Sequence, residues 1–304
     1  MRARLAKNMT PTAVPRDAAP IGLLAGWGEF PLTVARALRN QGYRVGGVGI
    51  IDHADPALAE LCDHFGWMGI GGIGRAMRYF RRWGVTRAVM AGKVHKVLLY
   101  QPGWWFRHRP DWQAIRAFYP QLLTGSGDRK DDTLLNRVVG AFDANGVVFE
   151  PATDFAPELL ASAGPIVGRK LTARQLKDAH FGWQMAKAVG GLDVGQCVCI
   201  KEQTVLALEA IEGTDQCIRR AGQLCRSGGF TVVKVAKPSQ DMRFDVPTVG
   251  VQTVESIAAA GGSVLAIEAG RTILLNRAEF CCVANRLRVA VVAIEESAIA
   301  RAAA

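Results

Sequence analysis

The chain has 304 residues, of which 49% are hydrophobic and 21% charged, so it can bury a sizeable core and is long enough for two domains. Its formal net charge of +10 favours acidic partners, namely nucleic acid, an anionic membrane surface or a phosphorylated substrate, without choosing among them. The seven cysteines include no CxxC pair, which argues against a disulfide scaffold and predicts thiols packed as small core residues in a reducing compartment.

Residues 1–20 are basic and contain three prolines but no apolar run, so we expect a mobile tail and not a signal peptide. No twenty-residue apolar span occurs further along the chain. We therefore expect a soluble, cytoplasmic protein.

The next stretch predicts a β–α–β unit typical of a Rossmann-like domain. Residues 21–25 form an apolar run that suits a buried strand, and Pro31 suits the first turn of a helix that ends near Asn40. Residues 44–51 predict the second strand.

Two glycines after the first predicted strand lie where backbone N–H groups could contact a phosphate. Gly26 and Gly28 begin the dinucleotide-binding fingerprint, but Pro31 replaces its third glycine. Asp52, after the second strand, is either a ribose ligand or a turn residue, and we favour the turn.

The first half continues with a predicted helix over 75–83 and a strand over 87–91, which places Lys93 at a strand end. A helix over 131–144 opens on two aspartates that suit its first turn. Residues 151–168 are rich in proline and are expected to be a linker. We predict domains over 21–164 and 165–304.

The second half predicts a mixed α+β domain. Its expected elements are a helix over 173–189, a hairpin from 196–200 and 204–211, a helix capped by Thr214 and ending near 225, a strand over 230–236, a helix over 253–260, and a second hairpin from 264–268 and 272–275 around Gly270. Cys281 and Cys282 are expected at buried helix positions.

The most informative stretch, residues 234–248, alternates cations and carboxylates directly after a strand and between prolines. Its charged residues are Lys234, Lys237, Asp241, Arg243 and Asp245. The cations suit an anion and the carboxylates suit a divalent cation. The alternative is a solvated loop whose charges pair with one another.

This stretch, together with residues 193–196 and 209–215, resembles the UDP-2,3-diacylglucosamine pyrophosphatases of lipid A biosynthesis, the group distinct from the calcineurin-like enzymes of the same step. Residues 22–31, 92–94 and 131–132 resemble that family's opening and middle. The resemblance implies Mg²⁺-dependent hydrolysis of the pyrophosphate of UDP-2,3-diacylglucosamine to UMP and lipid X.

On this interpretation Asp245 and Asp241 are the catalytic residues and Mg²⁺ ligands, with Asp215 as a further ligand or simply a helix-terminal carboxylate. In an extended chain, residues four apart lie roughly 13 Å apart, so the segment must bend if both aspartates bind one ion. The predicted substrate-binding residues are Gly26, Gly28, Lys93, Gln196, Thr214, Arg219, Lys234, Lys237 and Arg243.

Two other classes of function stay open. Gly26, Gly28 and Asp52 suit a nicotinamide-dependent oxidoreductase, and the basic charge with the aromatic stretch 104–112 suits a non-enzymatic binder of anionic lipid. That stretch is either an interfacial patch or a loop packed on its own domain. We expect no nucleic-acid partner, and a transient contact with the inner-membrane surface and a homodimer are further possibilities.

Overall fold

The computed structural model describes residues 19–94, 108–116 and 131–303, and gives only the backbone at 131–134 and 300–303. The chain divides into two compact units between Ala156 and Pro157. Segments 1–18, 95–107 and 117–130 lie outside the described residues, and with them all but the last two residues of the predicted tail and residues 104–107 of the aromatic stretch.

The first unit contains a five-stranded sheet in the order β3-β2-β1-β4-β5, with every neighbouring pair parallel. The chain winds from β1 to β3 on one side and returns to place β4 on the other. The carboxyl ends of β1 and β4 therefore form the topological switch point, where open α/β sheets bind ligands. Its elements are β1 Ile21–Ala25, α1 Phe30–Asn40, β2 Val45–Ile50, β3 His64–Met68, α2 Ile73–Trp83, β4 Arg87–Ala91, α3 Asp131–Asp143, β5 Val148–Glu150 and α4 Ala152–Phe155.

Local sequence explains most of this unit. All five residues of β1 are buried, as expected for a strand covered on both faces. Pro31 lies in the first turn of α1, and Gly84 ends α2 in the left-handed region with φ +71°. Strand β3 was not predicted, because its mixture of exposed and buried residues lacks a clean alternation.

The second unit contains a six-stranded mixed sheet in the order β6-β13-β11-β9-β7-β8. Its centre is parallel, since β11 pairs in parallel with both β9 and β13, while β6, β7 and β8 make antiparallel pairs. Its elements are β6 Gly164–Val167, α5 Ala173–Gly191, β7 Cys197–Lys201, β8 Thr204–Leu208, α6 Thr214–Leu224, β9 Thr231–Lys234, β10 Thr248–Val249, α7 Val251–Ala259, β11 Val264–Glu268, β12 Ile273–Leu274, α8 Arg277–Arg286, β13 Ala290–Ile294 and α9 Glu296–Ala303.

Alternate residues of the central strands pack into two cores. Val233 and Ala266 face Ala179 and Trp183 of α5. The opposite face carries residues from α6, α7 and α8, including Ile218, Ile257 and Phe280 packed with Val232 and Leu265. Because both faces are covered, the central strands read as nearly continuous apolar runs.

The fold class predicted from the sequence, a Rossmann-like domain followed by a mixed domain, is confirmed. The second predicted hairpin is wrong. Residues 264–268 form β11 in the middle of the sheet, and residues 273–274 form β12, which pairs with β10 in a separate two-stranded sheet. The turn at Gly270 therefore separates two sheets, because β11 finds better-buried partners far away in the sequence.

Other local predictions need correction. The segment expected as a linker, 151–168, contains α4, a 3₁₀ turn at Pro157–Leu159 and strand β6. The domain limits chosen from the sequence stay predictions. Cys282 is exposed and Cys281 half-buried, so the expectation that both are buried is wrong. No helix among the described residues is long and apolar enough to cross a membrane.

Candidate functional site

Most of the predicted site residues lie at one edge of the six-stranded sheet. The parallel strands β9 and β11 end there, at Lys234 and Glu268. Since β7 runs the other way, its start brings Gln196 to the same edge, where β8 ends and α6 begins. Ligands of open α/β sheets bind outside the carboxyl ends of parallel strands, so this edge is the candidate site.

The charged segment after β9 turns back on itself. The backbone N–H of Asp245 donates to the carbonyl oxygen of Asp241 at 3.0 Å, and that of Phe244 donates to the same oxygen at 3.3 Å. The segment therefore bends, as two neighbouring carboxylates would require.

The two aspartates in this turn have different surroundings. Asp241 accepts hydrogen bonds from Nε of Arg243 at 2.9 and 3.0 Å and from its Nη2 at 2.6 Å. These bonds lower the pKa of the Asp241 carboxyl. Asp241 is thus already neutralised by a cation, as the alternative of mutually paired charges predicted.

Asp245 is instead held by a neutral group. Nε2 of Gln240 donates to Oδ2 of Asp245 at 2.6 Å, while Oε1 of Gln240 accepts from the backbone N–H of Lys237 at 2.7 Å. Gln240 is only 7% exposed, so its orientation is fixed by packing. The bond from Gln240 brings no positive charge to Asp245, whose carboxylate is oriented by a buried amide. The sequence interpretation did not single out Gln240.

The two predicted lysines of the segment are both engaged. Nζ of Lys234 donates to the carbonyl oxygen of Thr248 at 3.2 Å. Nζ of Lys237 pairs with Oδ1 of Asp193 at 2.7 Å. Each ammonium is therefore placed at the sheet edge, where its positive charge can attract a phosphate.

A buried carboxylate that follows β8 bonds the start of β7 and the start of α6 at this edge. Glu209, 8% exposed, accepts from the backbone N–H of Gln196 at 3.1 Å and from the hydroxyl of Thr214 at 2.7 Å. Thr214 therefore does not cap α6. The N-cap is Gly213 and makes no side-chain cap bond, so that prediction is wrong. The signal for Glu209 in the sequence is an acid directly after a strand.

Gln196 offers an acceptor at the same place. Its Oε1 is buried and has no hydrogen-bond partner among the described residues. A buried carbonyl without a donor is costly, so a ligand N–H or O–H could satisfy it.

The remaining candidates lie on α6. Asp215, in its first turn, accepts from the hydroxyl of Ser256 at 3.0 Å, and Arg219 is exposed. The hydrogen bond that Asp215 accepts comes from α7 and not from the Asp241–Asp245 turn.

This edge could hold a metal ion only with one or two protein ligands. The part of the chain that the structure describes contains no group of three or more His, Cys, Asp or Glu side chains that could hold an ion. Mg²⁺ commonly uses one or two protein carboxylates with waters and substrate phosphates, and does not need such a group. Asp245 suits that role better than Asp241, because Arg243 already occupies both oxygens of Asp241.

The first unit places its three predicted residues together at its own switch point. Trp27 and Lys93 form an antiparallel bridge after β1 and β4, with backbone nitrogen-to-oxygen distances of 2.8 and 3.0 Å. The N–H of Gly26 donates to the carbonyl oxygen of Ala91 and is therefore not directed at a phosphate. Gly26 instead lets the loops after β1 and β4 come close together. Gly28 has φ +104°, which a side chain rarely adopts.

Asp52 follows β2 in a turn with φ +62°, as favoured from the sequence. Its Oδ2 lies 3.4 Å from Nε2 of the buried His108. Nδ1 of His108 accepts from the N–H of Ile70 at 3.1 Å, which assigns the ring proton to Nε2 in the neutral form. Asp52 is therefore bonded within its own unit.

Trp104 and Trp105 lie outside the described residues, as do the side chains of Asp131 and Asp132. At the end of the aromatic stretch, Trp112 is 74% exposed.

The fold and this edge define a two-unit α/β protein whose second unit presents an oriented carboxylate and cations at the carboxyl ends of its parallel strands. Residues 20–159 match the LpxI N-terminal domain and residues 162–292 match the LpxI C-terminal domain. The chain belongs to the LpxI family, and the resemblance found in the sequence is confirmed.

A relative from Caulobacter vibrioides, UDP-2,3-diacylglucosamine pyrophosphatase LpxI, is 29% identical over 289 residues, covering 90% of this chain and 97% of the relative. A solved structure, the Bordetella bronchiseptica enzyme WbmG in complex with NAD and UDP, is 15% identical with a TM-score of 0.27, covering 44% of this chain and 37% of that one. That likeness is too weak to add to the argument.

Proposed function

We propose that this protein hydrolyses the pyrophosphate bond of UDP-2,3-diacylglucosamine, giving UMP and lipid X, with Mg²⁺ as cofactor. The family membership and the relative from Caulobacter vibrioides support the reaction. The observation that carries the site is the Asp245 carboxylate, oriented by the buried amide of Gln240 at the carboxyl edge of a parallel sheet.

In this proposal Asp245 holds the metal ion. When bound, Mg²⁺ supplies positive charge to the phosphate oxygens and lowers the cost of the developing negative charge. Gln240 keeps the carboxylate in one orientation, so no reorganisation is needed during the reaction.

The cations of the same edge supply the remaining charge stabilisation. The ammonium groups of Lys234 and Lys237 are held at this edge, and their positive charges can attract phosphate oxygens. Gln196 contributes a buried acceptor for a donor on the substrate. Placement and charge stabilisation supply most of the rate acceleration in phosphoryl transfer.

The experiment is an assay of the purified full chain with UDP-2,3-diacylglucosamine, in Mg²⁺ and in EDTA. We expect UMP and lipid X in Mg²⁺ and a large loss of both products in EDTA. Undiminished turnover in EDTA would remove the metal from the proposal and leave the hydrolysis. Absence of UMP under both conditions would overturn the proposed function.

Water labelled with ¹⁸O sharpens the assay, because the label enters the product whose phosphorus is attacked. The cytoplasmic location, the contact with the inner-membrane surface and the homodimer stay predictions. Sedimentation with vesicles containing anionic lipid and analytical ultracentrifugation of the free protein test the last two.

A further inference from the structure

A buried ion pair contacts the chain just after β9, where the segment that carries Asp241 and Asp245 begins. Glu268, the last residue of β11, is 3% exposed, and both of its carboxylate oxygens lie 2.8 Å from Nζ of Lys187 on α5. Lys187 also lies over the ring of Trp183, 5.3 Å from its centroid. The pair is therefore fixed on both sides by packed elements.

The side chains of Lys187 and Glu268 also bond the backbone N–H and carbonyl groups of Ala236. The N–H of Ala236 donates to Oε2 of Glu268 at 2.7 Å, and the carbonyl oxygen of Ala236 accepts from Nζ of Lys187 at 3.0 Å. Strand β9 has ended by Ala236, so these side chains replace the sheet as its hydrogen-bond partners. We call this arrangement of Lys187, Glu268 and Ala236 the backbone clamp.

The clamp sets where the polar turn begins. Ala236 precedes Lys237, whose N–H is bonded to Gln240, and Gln240 in turn bonds Asp245. An unbroken series of short contacts thus runs from the sheet to the carboxylate. A displacement of Ala236 would be transmitted to Asp245 through two hydrogen bonds.

Stability alone gives a weak reason for such a pair. The cost of removing two charges from water commonly equals their attraction, and apolar residues of similar volume often replace a buried pair without loss. A pair that also fixes one peptide group from both sides does something that apolar residues cannot do.

We propose that Lys187 and Glu268 are positioning residues for the hydrolysis: they fix Ala236 and thereby the place of Asp245. This inference rests on the proposed function. Neither residue is assigned a contact with substrate, so their loss should lower turnover more than it weakens substrate binding.

The chain offers a matched control at the other end of α5. Asp178 is a second buried carboxylate, 5% exposed, that accepts two backbone N–H groups, from Glu202 at 3.1 Å and Gln203 at 2.7 Å. It stabilises the β7–β8 turn at the opposite edge of the sheet, roughly 13 Å further along the helix. Its loss should affect folding without moving Asp245.

The test compares Glu268→Gln with Asp178→Asn by kcat and KM, below the unfolding temperature of each variant. We expect Glu268→Gln to lower kcat by about ten- to a hundredfold, the effect of a misplaced catalytic group, with KM within roughly threefold of wild type. Asp178→Asn should keep the wild-type kcat.

A double variant, Lys187→Met with Glu268→Met, removes both charges together and avoids an unpaired buried ion. We expect it to fold and still to show the low kcat, because Ala236 has lost both partners. The inference would be overturned if the double variant had the same kcat as the control Asp178→Asn. The same result for Glu268→Gln would also overturn it. Absence of hydrolysis by the wild type would overturn the proposed function and this inference with it.

Discussion

The carboxyl edges of the two sheets offer different chemistry. At the switch point of the first unit the contacts are between backbone groups, because the loop at Gly26 and Trp27 is bridged to Lys93. In the second unit the edge consists of ionisable side chains held by buried partners, such as Asp245 on Gln240.

The difference follows from what covers each edge. Glycines let two loops of the first sheet approach within hydrogen-bond distance, and no side chain fits between them. In the second sheet a loop of thirteen residues, 235–247, carries its own polar side chains over the strand ends. We therefore expect substitutions of the second edge to act on turnover and those of the first to act on local structure.

The largest effect should come from Asp245→Asn. We expect kcat to fall by about a thousandfold, because a preorganised charge-stabilising group is lost while the amide still fits the site. Asp241→Asn should cost far less, about tenfold, since Arg243 already neutralises that carboxylate. Steady-state kinetics at saturating Mg²⁺ measures both. An equal fall in kcat in both variants would show that the two aspartates act together. Wild-type kcat in both variants would show that the catalytic centre is not in this segment.

Gly26→Ala should test the backbone character of the first edge. A Cβ there would lie 2.6 Å from the carbonyl oxygen of Lys93, a backbone atom that cannot rotate away. We expect a loss of about 1–3 kcal/mol in the free energy of unfolding, as for other overpacked sites. Urea denaturation of the full chain measures it. An unchanged midpoint would mean that the two loops separate freely.

Two helix glycines should respond with opposite sign. In α5, a Cβ at Gly182 would lie 2.5 Å from Cγ2 of Val233, so Gly182→Ala should destabilise by about 1–3 kcal/mol. In α3, no atom of the described residues lies within 4 Å of a Cβ built at Gly140, so Gly140→Ala should stabilise by about 0.5–1 kcal/mol. Thermal unfolding of both variants gives the sign directly. Stabilisation by Gly182→Ala would contradict the close packing of α5 on the sheet.

The smallest effect should be the acid dependence from Asp241. Arg243 lowers its folded-state pKa below the unfolded value of about 3.9. The pair therefore stabilises the fold above about pH 4 and loses this contribution as the pH falls through the lowered pKa. Because the pair is partly exposed, it should contribute less than about 1 kcal/mol. Arg243→Met should make the urea midpoint of unfolding depend less on pH between pH 7 and pH 3. The same pH dependence in the variant and the wild type would count against a contribution from the pair.

Local patterns in the sequence determined the elements whose signals are complete within a few residues. The apolar run 21–25 and the run 87–91 are strands with those limits, and Ala173 begins the long helix α5 as predicted. The charged segment after β9 could also be recognised, because its alternation of residues is unusual for a strand end. The bend that it requires was deduced from backbone spacing alone.

The tertiary structure decided which residues meet. Strand β11 pairs with β9 and β13 because burial on both faces outweighs the nearer hairpin partner. The hydroxyl of Thr214 bonds Glu209 and not its own helix, and Glu268 meets Lys187 across 81 positions of sequence. Periodicity and turn chemistry act over neighbouring residues, whereas buried polar groups must find partners wherever the packed chain brings them. The sequence alone therefore located the segment that carries the proposed chemistry, and the packed fold decided which side chains hold it in place.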